Sequence, residues 1–107
     1  MDMAVESSQT IRRIEIKFLG LTRIETGTTK DHVELPESAT VRDVIRVLTE
    51  KYGPRLERAL LNTRGQCCTM AKVRVDGINI DDVGGIDSSI SNIQVISFVS
   101  MAPLAGG

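Results

Sequence analysis

The chain has 107 residues, which is enough for one domain and too few for two ordinary ones. Its formal net charge of −1 provides no basic face that would attract nucleic acid. Its longest apolar runs are far shorter than the roughly 20 residues that span a bilayer, and its start lacks the pattern of a secretory signal. We therefore expect a cytoplasmic globular domain without nucleic-acid or membrane partners.

The first part of the chain predicts an antiparallel β-hairpin. Ile11 to Gly20 alternates between apolar and charged side chains, which is the period-two pattern of a half-buried strand. Gly20 to Lys30 is interpreted as a turn region around Gly27. His32 to Leu35 then predicts a short second strand, close enough in sequence to pair with the first.

The clearest helix signals lie between Thr40 and Pro54. Thr40 is a natural N-cap, and Asp43, three residues later, can complete a capping box. Gly53 and Pro54 form the usual C-terminal stop, and Arg55 to Leu61 predicts one further short helical turn. The stripe at helical spacing that should face the core comprises Val41, Val44, Ile45, Leu48 and Tyr52.

The second half of the chain predicts three more strands. Thr69 to Val75 alternates again, and Asp76-Gly77 is a dipeptide typical of tight turns. Ile78 to Ile80 can form a short return strand. Asp81 to Asn92 is polar and contains glycine, so it is interpreted as connecting structure. Ile93 to Met101 predicts the last strand.

The last predicted strand is apolar on both faces, unlike the others. Ile96 and Phe98 have one parity, and Val99 and Met101 have the other. We predict that Ile96 and Phe98 enter the core. Val99 and Met101 should then face outward, where an exposed apolar surface can bind a partner.

The order strand, strand, helix, strand, short strand, strand predicts an α+β fold, with one long helix packed across a mixed sheet. We divide the chain into a flexible N-terminal segment (1–10), a folded domain (11–101) and a flexible C-terminal Gly-Gly tail (102–107).

Few residues inside the predicted domain indicate chemistry of their own. The sequence lacks the glycine-rich loops of nucleotide-binding proteins and the G-x-S-x-G turn of serine hydrolases. His32 is interpreted as structural or solvent-exposed, and Asp81-Asp82 as turn or helix caps. The adjacent Cys67 and Cys68 are interpreted as reduced thiols, with a redox or metal role as the alternative. We expect no metal site and no stably bound cofactor.

The C-terminal Gly106-Gly107 is the exception, because a carboxyl-terminal glycine suits activation by another enzyme. An α-carboxyl group, with a pKa of about 3.3–3.7, is an anion at neutral pH and can attack the α-phosphate of ATP. Glycine has no Cβ, so this end can enter a narrow active site. Pro103 stiffens the base of the tail and lowers the entropy lost on insertion.

From Ile11 to Gly107 the chain resembles the ubiquitin-like sulfur carriers, and most closely the small subunit of molybdopterin synthase. The resemblance is carried by the opening strand-strand-helix order and by three segments. They are Thr40-Val41-Arg42-Asp43-Val44, Val73-Arg74-Val75-Asp76-Gly77, and the ending Pro103-Leu104-Ala105-Gly106-Gly107. It implies a β-grasp fold with a mixed four- to five-stranded sheet packed on one main helix.

The resemblance also implies a mechanism and a set of site residues. A ubiquitin-activating-like adenylyltransferase would use ATP to convert Gly107 into an acyl-adenylate, and sulfur transfer would then give a thiocarboxylate. Gly106 would line the access tunnel. The large synthase subunit would hold the catalytic residues, so this chain would not be an enzyme by itself. The residues implied to contact partners are Val99, Met101, Pro103, Leu104 and Ala105.

Alternatives to molybdopterin synthesis remain open. An activated Gly107 could instead be attacked by lysines of target proteins, which would make the chain a protein modifier. Carriers for thiamine synthesis or tRNA thiolation use the same chemistry, although the segment Arg55 to Gln66 favours the molybdopterin type over shorter thiamine carriers. A β-grasp interaction domain with an inert tail is the remaining alternative.

Overall fold

The computed structural model describes residues 10–66 and 71–100 of the chain. The strands are β1 (Ile11–Gly20), β2 (Lys30–Pro36), β3 (Ala71–Val75), β4 (Ile78–Asn79) and β5 (Val95–Ser100). The helices are α1 (Leu21–Thr26), α2 (Val41–Tyr52) and α3 (Pro54–Leu60), and a short 3-10 helix covers Ile80–Val83. The predicted tail and the Cys67-Cys68 pair lie outside the described residues.

The five strands form one mixed sheet in the order β2-β1-β5-β3-β4. β1 pairs antiparallel with β2 on one side and parallel with β5 on the other. β3 pairs antiparallel with both β5 and β4. The last strand along the sequence is therefore the middle strand of the sheet. The predicted α+β fold with a mixed sheet and one main helix is confirmed.

The core lies between one face of the sheet and the apolar stripe of α2. Val41, Val44, Ile45 and Leu48 are buried, as their helical spacing predicts. The capping box that starts this helix is also present, because Asp43 N–H donates to the Thr40 hydroxyl at 3.2 Å and Thr40 N–H donates to the Asp43 carboxylate at 3.0 Å. Other buried side chains that close the core include Ile14, Ile16, Phe18, Val73, Ile96 and Phe98.

Two segments differ from the prediction. The region after Gly20 was predicted as a turn, but it contains the six-residue helix α1, which ends at Gly27 in the left-handed conformation. The segment Asp81 to Asn92 was predicted as polar connecting structure, but it begins within the 3-10 helix and supplies two isoleucines to the core. Isolated apolar residues in loops follow no period, so pattern analysis cannot identify them as buried. These isoleucines are Ile86 and Ile90, and Ile93 just beyond them is buried as well.

A mostly buried carboxylate ties the end of α2 to the start of β2. The Asp31 side chain is only 10% exposed and accepts hydrogen bonds from Lys51 Nζ at 2.8 Å and from the Tyr52 hydroxyl. Its other oxygen accepts the His32 N–H at 2.7 Å. Burial opposes the charge, but the bonds from Lys51, Tyr52 and His32 outweigh it and lower the pKa of Asp31 to about 2.

We expect Asp31→Asn to lower the free energy of unfolding by about 2 kcal/mol at pH 7, with a smaller difference from wild type in acid. A carboxylate whose folded-state pKa is depressed stabilises the fold above its ordinary value of 3.8, and this stability is lost as the pH falls toward about 2. Urea unfolding at pH 7 and pH 2.5 measures the effect, with Glu34→Gln on the exposed face of β2 as the control. A difference that is equal at both pH values would contradict the assignment.

Candidate functional site at the end of the central strand

The candidate site begins at Ser100, the last residue of β5 that the structure describes. Ser100 pairs with Gly20 of β1 in the parallel register and with Ala71 of β3 in the antiparallel register. The predicted tail residues follow directly in the sequence and lie outside the described residues: Met101, Pro103, Leu104, Ala105, Gly106 and Gly107. The structure therefore describes the base of the predicted tail and the sheet face beside it.

Gly20 allows the backbones of β1 and β5 to approach closely at this point. Its φ of +66° lies in the region that favours glycine, and it turns the chain from β1 into α1. A Cβ at this position would lie 2.3 Å from the carbonyl oxygen of Ser100. Only glycine fits without displacing the last residue of β5.

Two buried hydroxyl groups hold the same strand end. The hydroxyl oxygen of Thr22, in α1, lies 2.8 Å from the Phe98 carbonyl oxygen and 2.7 Å from the Leu19 carbonyl oxygen, so it can donate to either. It also accepts the Leu19 N–H at 3.0 Å. The Ser100 hydroxyl donates to the Ala59 carbonyl of α3 at 3.0 Å. The base of the tail is thus attached to two helices as well as to two strands.

Thr22 and Ser100 are functional-site residues that the sequence pattern does not mark. Thr22 and Ser100 are small polar residues that are buried only because distant elements cover them, and no periodic pattern marks such positions. The one available signal is the pair Gly20 and Gly27, which brackets a segment of six residues. A glycine just past the end of a segment is also a helix stop signal.

The other end of β5 is fixed by the tight turn between β3 and β4. Asp76 adopts a φ of +51°, and its carboxylate accepts the Val95 N–H at 2.9 Å and the Gln94 N–H at 3.2 Å. The predicted turn at Asp76-Gly77 is confirmed by the pairing of Val75 with Ile78. β5 is consequently held at its first and last residues.

The sheet face opposite α2 carries the described part of the predicted partner surface. Val99 lies on this face, directly across from Leu19 on β1 and from Lys72 on β3. Leu19 is 46% exposed, so it forms an apolar patch with Val99. Three basic residues on the same face lie around the patch: Lys17, Lys72 and Arg74. A contact of Val99 with a partner stays a prediction.

The remaining candidate residues are not brought together. His32 is exposed on β2, across from Glu15. Asp81 and Asp82 are exposed in the first turn of the 3-10 helix, where the Asn79 side chain caps the Asp81 N–H at 2.9 Å. Across residues 10–66 and 71–100, no three His, Cys, Asp or Glu side chains are grouped as a metal site. None of the helices in these two ranges is long and apolar enough to cross a bilayer.

Comparison with solved structures finds the same architecture in several small proteins. Urm1 from Trypanosoma brucei superposes with a TM-score of 0.72 at 20% identity, covering 92% of this chain and 98% of that one. Small archaeal modifier protein 1 from Methanosarcina acetivorans gives 0.70 at 22% identity, covering 92% and 99%. A Pyrococcus furiosus chain described as molybdopterin converting factor subunit 1 gives 0.62 at 16% identity, covering 85% and 99%.

These likenesses establish the β-grasp fold, and at such identities they establish the fold alone. No protein-family model matches the sequence, and a search of curated proteins found no significant match.

We expect Gly20→Ala to destabilise the domain more than Gly27→Ala does. Gly27 has the left-handed conformation, which costs about 1–2 kcal/mol for alanine, and nothing lies within 4 Å of a Cβ there. Gly20 combines a φ of +66° with a ψ of −134°, outside the left-handed region, so its backbone strains alanine at least as much. The clash with Ser100 should add about 1–3 kcal/mol at Gly20. Urea unfolding and amide exchange measure this difference, since only Gly20→Ala should accelerate exchange at the end of β5. Equal losses in the two variants would argue against a close contact here.

Proposed function

We propose that this chain is a sulfur-carrier protein that works through the carboxyl group of Gly107 and serves as the small subunit of molybdopterin synthase. The observation that supports this proposal concerns the end of β5, from Phe98 to Ser100, a short segment ahead of the Gly-Gly sequence. This end is attached to four elements of a β-grasp domain: β1, β3, α1 and α3. A rigid domain that ends in a thin, small-residue segment can present that segment to an active site on another protein.

The proposed chemistry takes place in partner enzymes and requires no cofactor bound to this chain. The Gly107 carboxylate attacks the α-phosphorus of ATP, which forms the acyl-adenylate and releases pyrophosphate. A sulfur nucleophile at the oxidation level of sulfide then attacks the acyl carbon. The carbon–oxygen bond to AMP breaks, and AMP leaves with the electron pair. The product is a thiocarboxylate, whose sulfur is transferred to the pterin precursor in the large subunit.

The chain itself supplies recognition in this scheme and no catalytic group. The apolar patch of Leu19 and Val99 binds the partner, and Lys17, Lys72 and Arg74 around it favour a partner surface rimmed by carboxylates. The path into the partner's active site is occupied by tail residues, which are Met101, Pro103, Leu104 and Ala105, with Gly106 in its narrowest part. Because the activating step consumes ATP, we place the protein in the cytoplasm.

A second candidate function is protein modification. It is favoured by two structural neighbours, the small archaeal modifier proteins 1 from Haloferax volcanii and Methanosarcina acetivorans. In that case the acyl-adenylate leads to an isopeptide bond with a lysine of a target protein. A branched peptide that ends in Gly106-Gly107 on cellular lysines distinguishes this function from sulfur transfer alone. Sulfur carriage for thiamine synthesis or tRNA thiolation is distinguished from molybdopterin synthesis by the molecule that receives the sulfur.

We expect deletion of Gly107 to abolish activation. Wild-type protein incubated with ATP, a sulfur source and the adenylating enzyme of the source organism should gain about 16 Da as one oxygen is replaced by sulfur. The deleted protein should keep its original mass and unfold like the wild type, because residue 107 is seven positions past Ser100, the last described residue of β5. Intact mass spectrometry measures both results, and the protein from its native cell shows whether Gly107 ends the mature chain. Normal sulfur incorporation without Gly107 would refute the proposal.

We expect Val99→Lys to lower kcat/KM for activation by tenfold or more, of about the size seen for a central interface residue. The added charge lies within the apolar patch on the outer sheet face. His32→Lys is the matched control, because it places the same side chain on the same face of the edge strand β2. Urea unfolding of both variants checks that each remains folded. If the two variants react alike, the patch of Leu19 and Val99 is not the docking surface.

A further inference from the structure

Three outward pairs of polar side chains on β1 and β2 follow a charge pattern that breaks at the last pair. The first two pairs combine complementary groups: Arg13 faces Glu34, and Glu15 faces His32. The third pair places Lys17 directly across from Lys30, and both side chains are exposed. Like charges that face each other across two strands destabilise a sheet. The fold itself gains nothing from this pair, which points to a role in binding.

The like-charged pair belongs to a line of side chains that crosses all five strands on the outer sheet face. Lys17 lies across from Ser97 of β5, and Ser97 lies across from Arg74 of β3. Arg74 in turn lies across from Asn79 of β4. We call this line the cationic row, from Lys30 through Lys17, Ser97 and Arg74 to Asn79. Neighbouring strands are about 4.8 Å apart, so the three charged residues lie within about 15 Å of one another.

The cationic row has no ion-pair partner among the residues that the structure describes. Within residues 10–66 and 71–100, each ion pair uses a cation of α2 instead: Arg42 with Asp87, Arg46 with Asp43, and Lys51 with Asp31. The next line of side chains adds Lys72 beside the apolar patch of Leu19 and Val99. This half of the face is therefore cationic, although the chain has a formal net charge of −1. Such a separation of charge gives a local positive potential that attracts anionic groups.

We propose that the cationic row binds an acidic segment of the partner protein, whose carboxylates lie across the strands while the patch of Leu19 and Val99 receives its apolar side chains. This inference rests on the proposed function, and it names the chemistry by which the partner is recognised. Nucleic acid fits this surface less well. The three aromatic side chains of the chain, Phe18, Tyr52 and Phe98, pack on the helix side of the sheet, so none can stack on a base here.

Two charge reversals on β1 separate binding from stability. Lys17→Glu and Arg13→Glu change the net charge equally, on the same strand and the same face. Lys17→Glu should raise the folding equilibrium constant roughly two- to fivefold, because it places a carboxylate opposite Lys30. Arg13→Glu should lower it by a similar factor, because it places a second carboxylate opposite Glu34. Urea unfolding at low salt measures both effects, and both should shrink in about 1 M NaCl.

The first binding test uses no partner enzyme. Hexaglutamate, an acidic peptide, is titrated at low salt into ¹⁵N-labelled protein, and the amide shifts should centre on Lys17, Ser97 and Arg74. Lys17→Glu should weaken this binding about tenfold, whereas Arg13→Glu should weaken it about threefold at most, because Arg13 lies outside the row. Hexathymidylate, a single-stranded oligonucleotide, is the nucleic-acid probe and should bind more weakly than the peptide.

The second binding test measures ATP–pyrophosphate exchange by the adenylating enzyme of the source organism as a function of carrier concentration. Lys17→Glu should lower kcat/KM about tenfold at low salt, and its difference from the wild type should shrink as NaCl rises to about 0.5 M. The effect should lie in KM, because the reacting carboxyl group is unchanged. Arg13→Glu should resemble the wild type although it is the less stable variant, so a loss of stability cannot explain the result.

The outcomes separate this inference from the proposed function. Equal losses of hexaglutamate binding in the two reversals overturn the inference, as does a Lys17→Glu variant that gains no stability. Hexathymidylate binding as tight as that of the peptide overturns the choice of a protein partner. If the wild type supports exchange and Lys17→Glu reacts normally, the inference fails while the proposed function stands. If the wild type supports no exchange, the proposed function fails, and the peptide titration still decides whether the cationic row binds acidic segments.

Discussion

The parallel pairing of β1 with β5 is the interaction on which the rest of this structure depends. It joins residues about 80 positions apart, such as Ile16 and Ile96. It places the final strand in the middle of the sheet, between β1 and β3. Because Ile96 and Phe98 contribute fully buried side chains from this strand, the core and the exit of the C-terminal segment are held by the same backbone. Loosening β5 would affect stability and presentation together.

The local features of the fold were predictable from the sequence because each has its own short pattern. Alternation identified β1 and β3, the capping box and stripe identified α2, and Asp76-Gly77 identified the tight turn. Helix α1 was missed since it reverses the usual pattern. Its buried residue is a threonine, Thr22, whereas Ile24 is 70% exposed. A six-residue segment with that arrangement has no apolar stripe to detect.

The candidate site, like the fold, was predictable from the sequence only in its local features. The two terminal glycines and the outward parity of Val99 can be read from the sequence, because a chain end and a period of two are local properties. The contacts that hold the base of the tail cannot be read from the sequence. Thr22 meets Phe98 across 76 positions, and Ser100 meets Ala59 across 41. The contacts of Asp31 with Lys51 and Tyr52 are non-local as well. Hydroxyl and carboxylate groups form such bonds only after the strand order has been set.

The direction of β1 has a practical consequence for work with this protein. Its ten residues extend about 30 Å, from Ile11 at one edge of the domain to Gly20 beside Ser100 at the other. A label attached ahead of Ile11, such as a fluorophore, an affinity handle or a solid support, lies at the end of the domain opposite to Ser100. Molecules immobilised in this way would all turn the Ser100 end of the sheet toward the solution.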